Sequence, residues 1–326
     1  MTERENPQVR WDCAPLEGLT GAQFRRIHNR CFGGVGRYYT PFLTPTQNHV
    51  FTRRELREIL PEHNEGVDTV PQLLTKSPED FLWAAGELAA MGYREVNLNL
   101  GCPSGTVTAK GKGAGMLADP AGLDRFLETV FAAAPLDISI KTRLGLTDPE
   151  EFPPLLEIFC RYPVKELTIH PRVREDYYKR PVRREAFAAV LPRCTLPVCY
   201  NGDLFTAADC AAFRAEFPTV KAVMLGRGLM GDPALARKAA GGPPAGREEL
   251  RGFVEQLYEE YCRDYGNRNA AMLRMKELWY YLLGLFDDSA RHAKMLRKAR
   301  TPEEYESCAA AILRDLPLRA DNRGEF

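Results

Sequence analysis

The sequence predicts an α/β fold, a closed parallel (β/α)8 or TIM barrel, followed by an all-helical domain. Eight short apolar runs occur along the chain, and each is followed by a stretch compatible with a helix. Eight such units in about 240 residues favour closure over the alternative, an open doubly wound sheet. A glycine and proline cluster at 241–246 then marks a boundary. We therefore expect a barrel domain at 1–240 and a helical domain at 247–326.

The elements can be assigned in order from their periodicity. Helices are predicted at 77–91, where Ser77 is a capping residue, and at 119–133 and 206–216. Beyond the boundary, apolar residues recur at helical spacing. The predicted strands are 10–14, 36–42, 67–74, 94–100, 136–142, 165–170, 196–200 and 220–226.

Composition excludes several classes of protein. The 44 basic residues equal the 44 acidic ones, so a nucleic-acid surface would have to come from local clusters. The nine cysteines are odd in number and lack Cys-x-x-Cys spacing, which argues against a disulfide framework and a zinc site. No long apolar run and no signal peptide occur. We expect a cytoplasmic protein without a metal or a membrane span, and the sequence predicts no oligomeric state.

One strand ends in an unusual polar motif, Asn-Leu-Asn-Leu-Gly-Cys-Pro at 97–103, followed by a glycine-rich run. Side chains alternate along a strand, so Asn97 and Asn99 share one face. A residue before proline is held in extended geometry, which predicts Cys102 as the last ordered position of the strand. Two amides and a thiol at a strand end fit a functional site better than a plain core.

Other strand ends also carry polar side chains. Gln72 lies near the end of the third predicted strand. Lys141 and Arg143 lie at the end of the fifth, and His170 and Arg172 lie at the end of the sixth. Catalytic residues of such barrels lie at the carboxyl ends of the strands. Lys141 could extend its ammonium group to solvent or contact an electron-rich ring or an anionic cofactor. His170 could be an ordinary core or rim residue, but its neighbours favour a functional role.

The last two strands predict a phosphate site. Asn201-Gly-Asp203 follows the seventh strand and Gly226-Arg227-Gly the eighth. In these barrels, loops after strands seven and eight often bind phosphate through backbone N–H groups. Either turn alone could be an ordinary tight turn; their occurrence together favours the phosphate site.

These motifs, taken in order, resemble the tRNA-dihydrouridine synthases, flavin enzymes that reduce particular uridines in tRNA. The chain departs from the usual family pattern at Pro41 and Pro171, which affects loop shape rather than the cysteine motif. The motifs that carry the resemblance lie at 14–18, 99–104, 140–145, 169–172, 200–203 and 223–228.

The resemblance implies flavin mononucleotide (FMN) as cofactor, NADPH as reductant and tRNA as partner. It implies an FMN-binding catalytic barrel at 1–240 and a helical RNA-binding domain at 247–326. It implies Cys102 as the general acid that protonates C5 of uracil, a task suited to a protonated thiol. The implied substrate contacts are Asn99, Arg143 and Arg172. The implied cofactor contacts are Pro15, Gln72, Lys141, His170, Asn201, Asp203, Gly226 and Arg227.

Two basic clusters favour RNA as the substrate. One follows the sixth predicted strand, at 172–184, and the other lies in the tail, at 291–300. Two alternatives remain. One is a small-molecule FMN barrel reductase of the dihydroorotate dehydrogenase type, and the other is an RNA-binding protein without catalytic activity.

Overall fold

A closed parallel barrel forms the body of the protein, as predicted. The computed structural model describes residues 9–322. Within them, the strand order is β3-β2-β1-β9-β8-β7-β6-β5-β4, and all pairs are parallel. The strands are β1 (Arg10–Cys13), β2 (Arg37–Tyr39), β3 (Thr69–Val70), β4 (Gln72–Leu73), β5 (Glu95–Leu100), β6 (Asp137–Arg143), β7 (Leu167–His170), β8 (Val198–Asn201) and β9 (Ala222–Leu225).

The barrel has eight strand positions because β3 and β4 are two halves of one predicted strand. Pro71 separates them, since proline has no N–H group to donate to the sheet. Its carbonyl still accepts a hydrogen bond of 2.8 Å from the backbone of Asn97 in β5. The single strand predicted at 67–74 is therefore interrupted, but it closes the sheet as expected.

Helices surround the barrel, and those predicted at 77–91, 119–133 and 206–216 are present with slightly shorter bounds. The side chain of Ser77 caps its helix by accepting a hydrogen bond from the backbone of Asp80. The helices are α1 (Ala22–Phe32), α2 (Arg53–Ile59), α3 (Pro78–Ala90), α4 (Gly105–Thr108), α5 (Pro120–Ala133), α6 (Phe152–Phe159), α7 (Arg184–Val190), α8 (Ala207–Glu216), α9 (Arg227–Gly231), α10 (Leu235–Ala239), α11 (Arg247–Tyr265), α12 (Arg268–Leu282), α13 (Ala290–Lys298) and α14 (Pro302–Asp315).

The amino-terminal end of the barrel is filled by an ion-pair cluster. Arg10 of β1 contacts the carboxylates of Asp12 at 2.8 Å and Glu166 at 2.6 Å. Both carboxylates are buried, so the arginine offsets the cost of removing them from water. The polar motifs lie at the opposite, carboxyl end of the barrel, which is therefore the candidate functional site.

Helices α11 to α14 form the predicted helical tail and pack directly on the barrel. The ring of Phe253 in α11 meets the ring of Phe24 in α1 at 5.9 Å. Arg26 of α1 pairs with Glu260 of α11 at 2.8 Å. The buried side chains of barrel helices and tail form one continuous apolar core. Among the described helices, none is long and apolar enough to cross a membrane.

Candidate active site

A chain of amide groups crosses the carboxyl end of the barrel. Gln72 donates to Asn97 Oδ1 at 2.7 Å, and Asn97 donates to Ser139 Oγ at 2.9 Å. Asn99 donates to Gln72 Oε1 at 2.7 Å. All four side chains are buried. The face that alternation predicted to be polar is therefore a continuous hydrogen-bonded network of neutral groups, which we call the amide network.

The amide network ends at the cysteine loop. Asn99 Oδ1 accepts hydrogen bonds from the backbone N–H groups of Gly101, at 3.1 Å, and Cys102, at 2.9 Å. These two N–H groups therefore leave the strand, and β5 ends at Leu100. The prediction that Cys102 is the last strand residue was wrong by two positions, because the Asn99 side chain replaces the sheet as acceptor.

Gly113 presses against the cysteine from the other side. Its φ of +58° lies in the left-handed region, and a Cβ there would come within 3.0 Å of Cys102 Cβ and O. The neighbouring Ala114 N–H donates to the Cys102 carbonyl at 3.1 Å. Burial raises the pKa of the Cys102 thiol, although Arg143 and Lys141 act in the opposite direction. The thiol is thus held in place and kept protonated.

Lys141 extends from β6 into the same space. Its amine has no hydrogen-bond or ion-pair partner among residues 9–322. Burial, and next the positive charge of Arg143, lowers the pKa of Lys141 to about 7. A partly buried amine without a carboxylate partner is suited to binding an anionic or electron-rich group.

Arg143 joins two loops over the site. Its guanidinium donates to the carbonyls of Gly101 at 2.8 Å and Tyr177 at 2.9 Å. It also lies over the ring of Tyr178, 5.2 Å from the ring centre. Tyr177 has a φ of +48°, so the backbone is strained where Tyr178 is presented to the site. Sequence reasoning assigned Tyr178 no role, although its aromatic character in a basic loop was a signal.

Arg172 and Arg227 converge on Asp203, and His170 lies beside Arg172. Arg172 forms a two-pronged ion pair with Asp203, and Arg227 contacts the same carboxylate at 2.8 Å. Arg172 Nη1 lies 2.9 Å from His170 Nε2. Burial, together with the cations Arg143, Lys141, Arg172 and Arg227, lowers the pKa of His170 well below its usual value. The imidazole is therefore a neutral group in a positively charged setting.

The predicted phosphate loops meet at this cluster. Gly226 follows β9, and Arg227 begins α9, where the first N–H groups have no partner within the helix. Gly228 is required by space, because a Cβ there would lie 2.1 Å from the Leu204 carbonyl oxygen. Asn201 fixes the neighbouring strand end by donating to the Met224 carbonyl at 2.8 Å. Backbone donors and two guanidinium groups thus border one concave surface.

Two adjoining cavities line up along the carboxyl end of the barrel, and we call them together the groove. Pro15, Leu16, Lys141, His170 and Tyr178 border both cavities, so the groove is continuous. Every site residue predicted from the sequence borders it. At the cysteine end these are Gln72, Asn99, Cys102 and Arg143, and at the arginine end Arg172, Asn201, Asp203, Gly226 and Arg227.

Arg172 borders the cavity at the arginine end of the groove, and its side chain is buried. Its predicted contact with substrate stays a prediction. Its Nε donates to the Arg180 carbonyl at 2.7 Å, and its other nitrogens contact Asp203 and His170. These contacts orient the Arg172 guanidinium towards Asp203 and His170.

The two basic clusters differ in the structure. In the loop after β7, Arg180 and Arg183 pair with Asp176, and Arg184 pairs with Glu216. The tail cluster is fully exposed and has no ion pair among residues 9–322. Its members are Arg291, Lys294, Arg297, Lys298 and Arg300.

Comparison with known proteins identifies the family of this chain. Residues 12–314 match the family described as dihydrouridine synthase. The probable tRNA-dihydrouridine synthase 1 of Synechocystis sp. is 33% identical over 227 residues, which are 68% of this chain and 62% of that protein. The tRNA-dihydrouridine(16) synthase of Cupriavidus necator is 30% identical over 289 residues, covering 82% of this chain and 88% of that protein.

A likeness among solved structures supports the fold. Morphinone reductase superposes with a TM-score of 0.51 at 14% identity, over 77% of this chain and 94% of that one. The family match spans both the barrel and most of the helical tail. The chain is therefore a member of the dihydrouridine synthase family.

Proposed function

We propose that the protein reduces uridines in tRNA to 5,6-dihydrouridine, with FMN as bound cofactor and NADPH as reductant. Family membership supports the reaction. The observation that carries the proposal is the position of Lys141, an amine without a partner among residues 9–322. It borders both the cavity that contains Cys102 and the cavity that contains Arg227. Lys141 can thus contact the ring of a cofactor whose phosphate lies at the arginine end of the groove.

The donors at the arginine end fit a phosphate. Arg172 and Arg227 share one carboxylate, that of Asp203, so one positive charge is left for an anion. The start of α9 adds backbone N–H groups. We assign Asp203 the task of orienting the two guanidinium groups, because a carboxylate would repel a phosphate that touched it. Arg172 then acts at the phosphate end rather than on the substrate.

The middle of the groove fits a flat, electron-rich ring. Pro15 and Gln72 border it, and Lys141 supplies a cation. When bound, FMN would supply the hydride that reaches C6 of uracil. An anion beside Lys141 would raise the pKa of the amine and restore its charge. Gln72 is held by the amide network, so its orientation is fixed before any ligand enters.

Cys102 completes the reaction by giving its thiol proton to C5 of uracil. Burial keeps the thiol protonated, which is the form that a general acid requires. Asn99 positions the loop through its carbonyl oxygen and has one amide hydrogen left for the base. Arg143 and the ring of Tyr178 border the same cavity and are suited to bind a uracil carbonyl and face.

The target uridine must leave its stack to reach a cavity at this depth. Turning a base out of an RNA costs a few kcal/mol, least for an unpaired base. This favours a loop of tRNA over a helical stem as the place of the substrate.

The test uses purified protein and tRNA that lacks dihydrouridine. We expect yellow protein that releases FMN on denaturation, and formation of dihydrouridine with NADPH. Cys102→Ala should keep FMN and lower turnover about 10²- to 10⁴-fold, the usual contribution of a general acid. Cys194→Ala, at a half-buried thiol outside the groove, should be unaffected.

Each alternative has its own outcome. Full activity of Cys102→Ala refutes the acid role. Colourless protein that binds tRNA supports an RNA-binding protein without catalysis. Reduction of a small substrate that tRNA does not inhibit supports the small-molecule reductase.

A further inference from the structure

The helical tail contains a large cavity that is separate from the groove. It has a volume of about 550 Å³ and lies between α12, α13 and the turn that joins them. This volume falls within the range of small-ligand sites. Its floor is apolar and consists of the buried side chains of Trp279, Phe286 and Leu296. We call it the tail cavity.

An exposed aromatic ring stands at the rim of the tail cavity. Tyr280 is 62% exposed, whereas Trp279 beside it is 1% exposed. The Tyr280 ring meets the ring of Tyr281 edge to face, at 5.1 Å and 88°. Tyr280 is therefore exposed to solvent and oriented by a neighbouring ring. Such an aromatic side chain is suited to stacking.

The charge around the tail cavity is mainly positive, because Lys276, Arg297 and Arg319 border it together with one carboxylate, Asp288. Arg297 borders the cavity, and its side chain has no partner among residues 9–322. It belongs to the exposed basic cluster that runs from Arg291 to Arg300. Elsewhere on the tail, exposed arginines are paired, as Arg268 is with Glu303 at 2.9 Å and Glu306 at 2.7 Å. An apolar floor, a free ring and unpaired cations together fit an unstacked base and its phosphates.

The tail cavity also lies beside the mouth of the groove. Helix α12, which lines the tail cavity, packs against α9, which begins at Arg227 of the groove. One RNA molecule could therefore contact the groove and the tail cavity at the same time.

We propose that the tail cavity binds a second unpaired base of the tRNA whose target uridine enters the groove. The base stacks on Tyr280, and the adjacent phosphates contact the cations of α13. This inference rests on the proposed function, and it assigns the tail cavity a part in positioning the RNA rather than in the chemistry.

The test compares dissociation constants and steady-state kinetics for unmodified tRNA. Stacking contributes about 1–3 kcal/mol per base, so Tyr280→Ala should raise the Kd and KM for tRNA about 5- to 150-fold. Its kcat should stay within about twofold. Tyr280→Phe keeps the ring and should bind normally. Ala293→Phe, which fills the cavity from α13 without changing charge, should weaken binding as Tyr280→Ala does.

Charge is tested separately. Arg297→Ala should raise the Kd and lower the slope of log Kd against log salt by about one. Arg125→Ala, at an exposed and unpaired arginine on the barrel helix α5, is the matched control and should change neither. Thermal melting of every variant checks that the fold is intact.

The outcomes separate this inference from the proposed function. Wild-type protein that forms no dihydrouridine refutes the function, whatever the variants do. Active wild-type protein with normal tRNA binding by both Tyr280→Ala and Ala293→Phe overturns the base site. If only Arg297→Ala weakens binding, α13 is an electrostatic surface alone, which also overturns it.

Discussion

Lys141 offers the sharpest test of the groove's electrostatics. Its pKa falls from 10.5 to about 7 because the amine is buried beside Arg143 and has no carboxylate partner among residues 9–322. For a fully buried amine, a pKa difference of this size corresponds to a free-energy cost of folding of about 5 kcal/mol. Lys141 is partly exposed, so solvent screening reduces the expected cost to about 2 kcal/mol.

The sign of the effect follows from proton binding. Between pH 7 and pH 10.5 the unfolded chain keeps the Lys141 proton and the folded protein releases it, so stability rises with pH. Lys141→Met removes the cost of burying the charge. The free energy of unfolding of the variant should exceed that of wild type by about 2 kcal/mol near pH 6.5, and the gap should close towards pH 10.

Urea unfolding of flavin-free protein at several pH values measures this gap. Lys110→Met, at an exposed lysine next to the cysteine loop, is the control for losing one positive charge. A gap between Lys141→Met and wild type that does not vary with pH would show that the amine is solvated and refute the reasoning.

Two further perturbations test how the site and the tail are held. Gly113→Ala should lower kcat at least tenfold with little change in tRNA affinity, because the new Cβ displaces Cys102. Gly111→Ala is the matched control, since its φ is also positive but a Cβ there meets only the end of a lysine side chain; equal kinetic loss in both variants would contradict the contact argument. Ending the chain before α11 should expose Phe24, which packs on Phe253, and give a barrel that binds a hydrophobic dye and melts early. A truncated barrel with the melting temperature of the full chain would show instead that the tail is an independent unit.

Much of the site was predictable because strand ends obey simple rules. Alternation placed Asn97 and Asn99 on one face, and the order of the strands placed Lys141 and Arg227 at the same end of the barrel. These inferences need only the position of a residue along a strand, which the apolar pattern gives to within a few residues.

The other features of the site depend on contacts between loops. The periodicity of apolar residues along the chain does not encode these contacts. Cys102 lies beyond the end of β5 because the Asn99 side chain accepts the hydrogen bond of the Cys102 backbone N–H group. The Arg172 side chain pairs with the carboxylate of Asp203, which is 31 residues away in the chain. Tyr178 borders the groove because Arg143 binds the neighbouring Tyr177 carbonyl and lies over the Tyr178 ring. Each outcome is a choice among possible hydrogen-bond partners that requires the three-dimensional fold.

The amide network has a consequence for how the protein responds to its surroundings. The groups that orient Cys102, from Ser139 through Asn97 and Gln72 to Asn99, are neutral over the whole biological pH range. Dissolved ions therefore leave the orientation of the thiol unchanged, whereas they compete directly with RNA for the cations of the tail. Changing ionic strength should thus regulate how often a tRNA is captured while leaving the rate of each captured turnover the same.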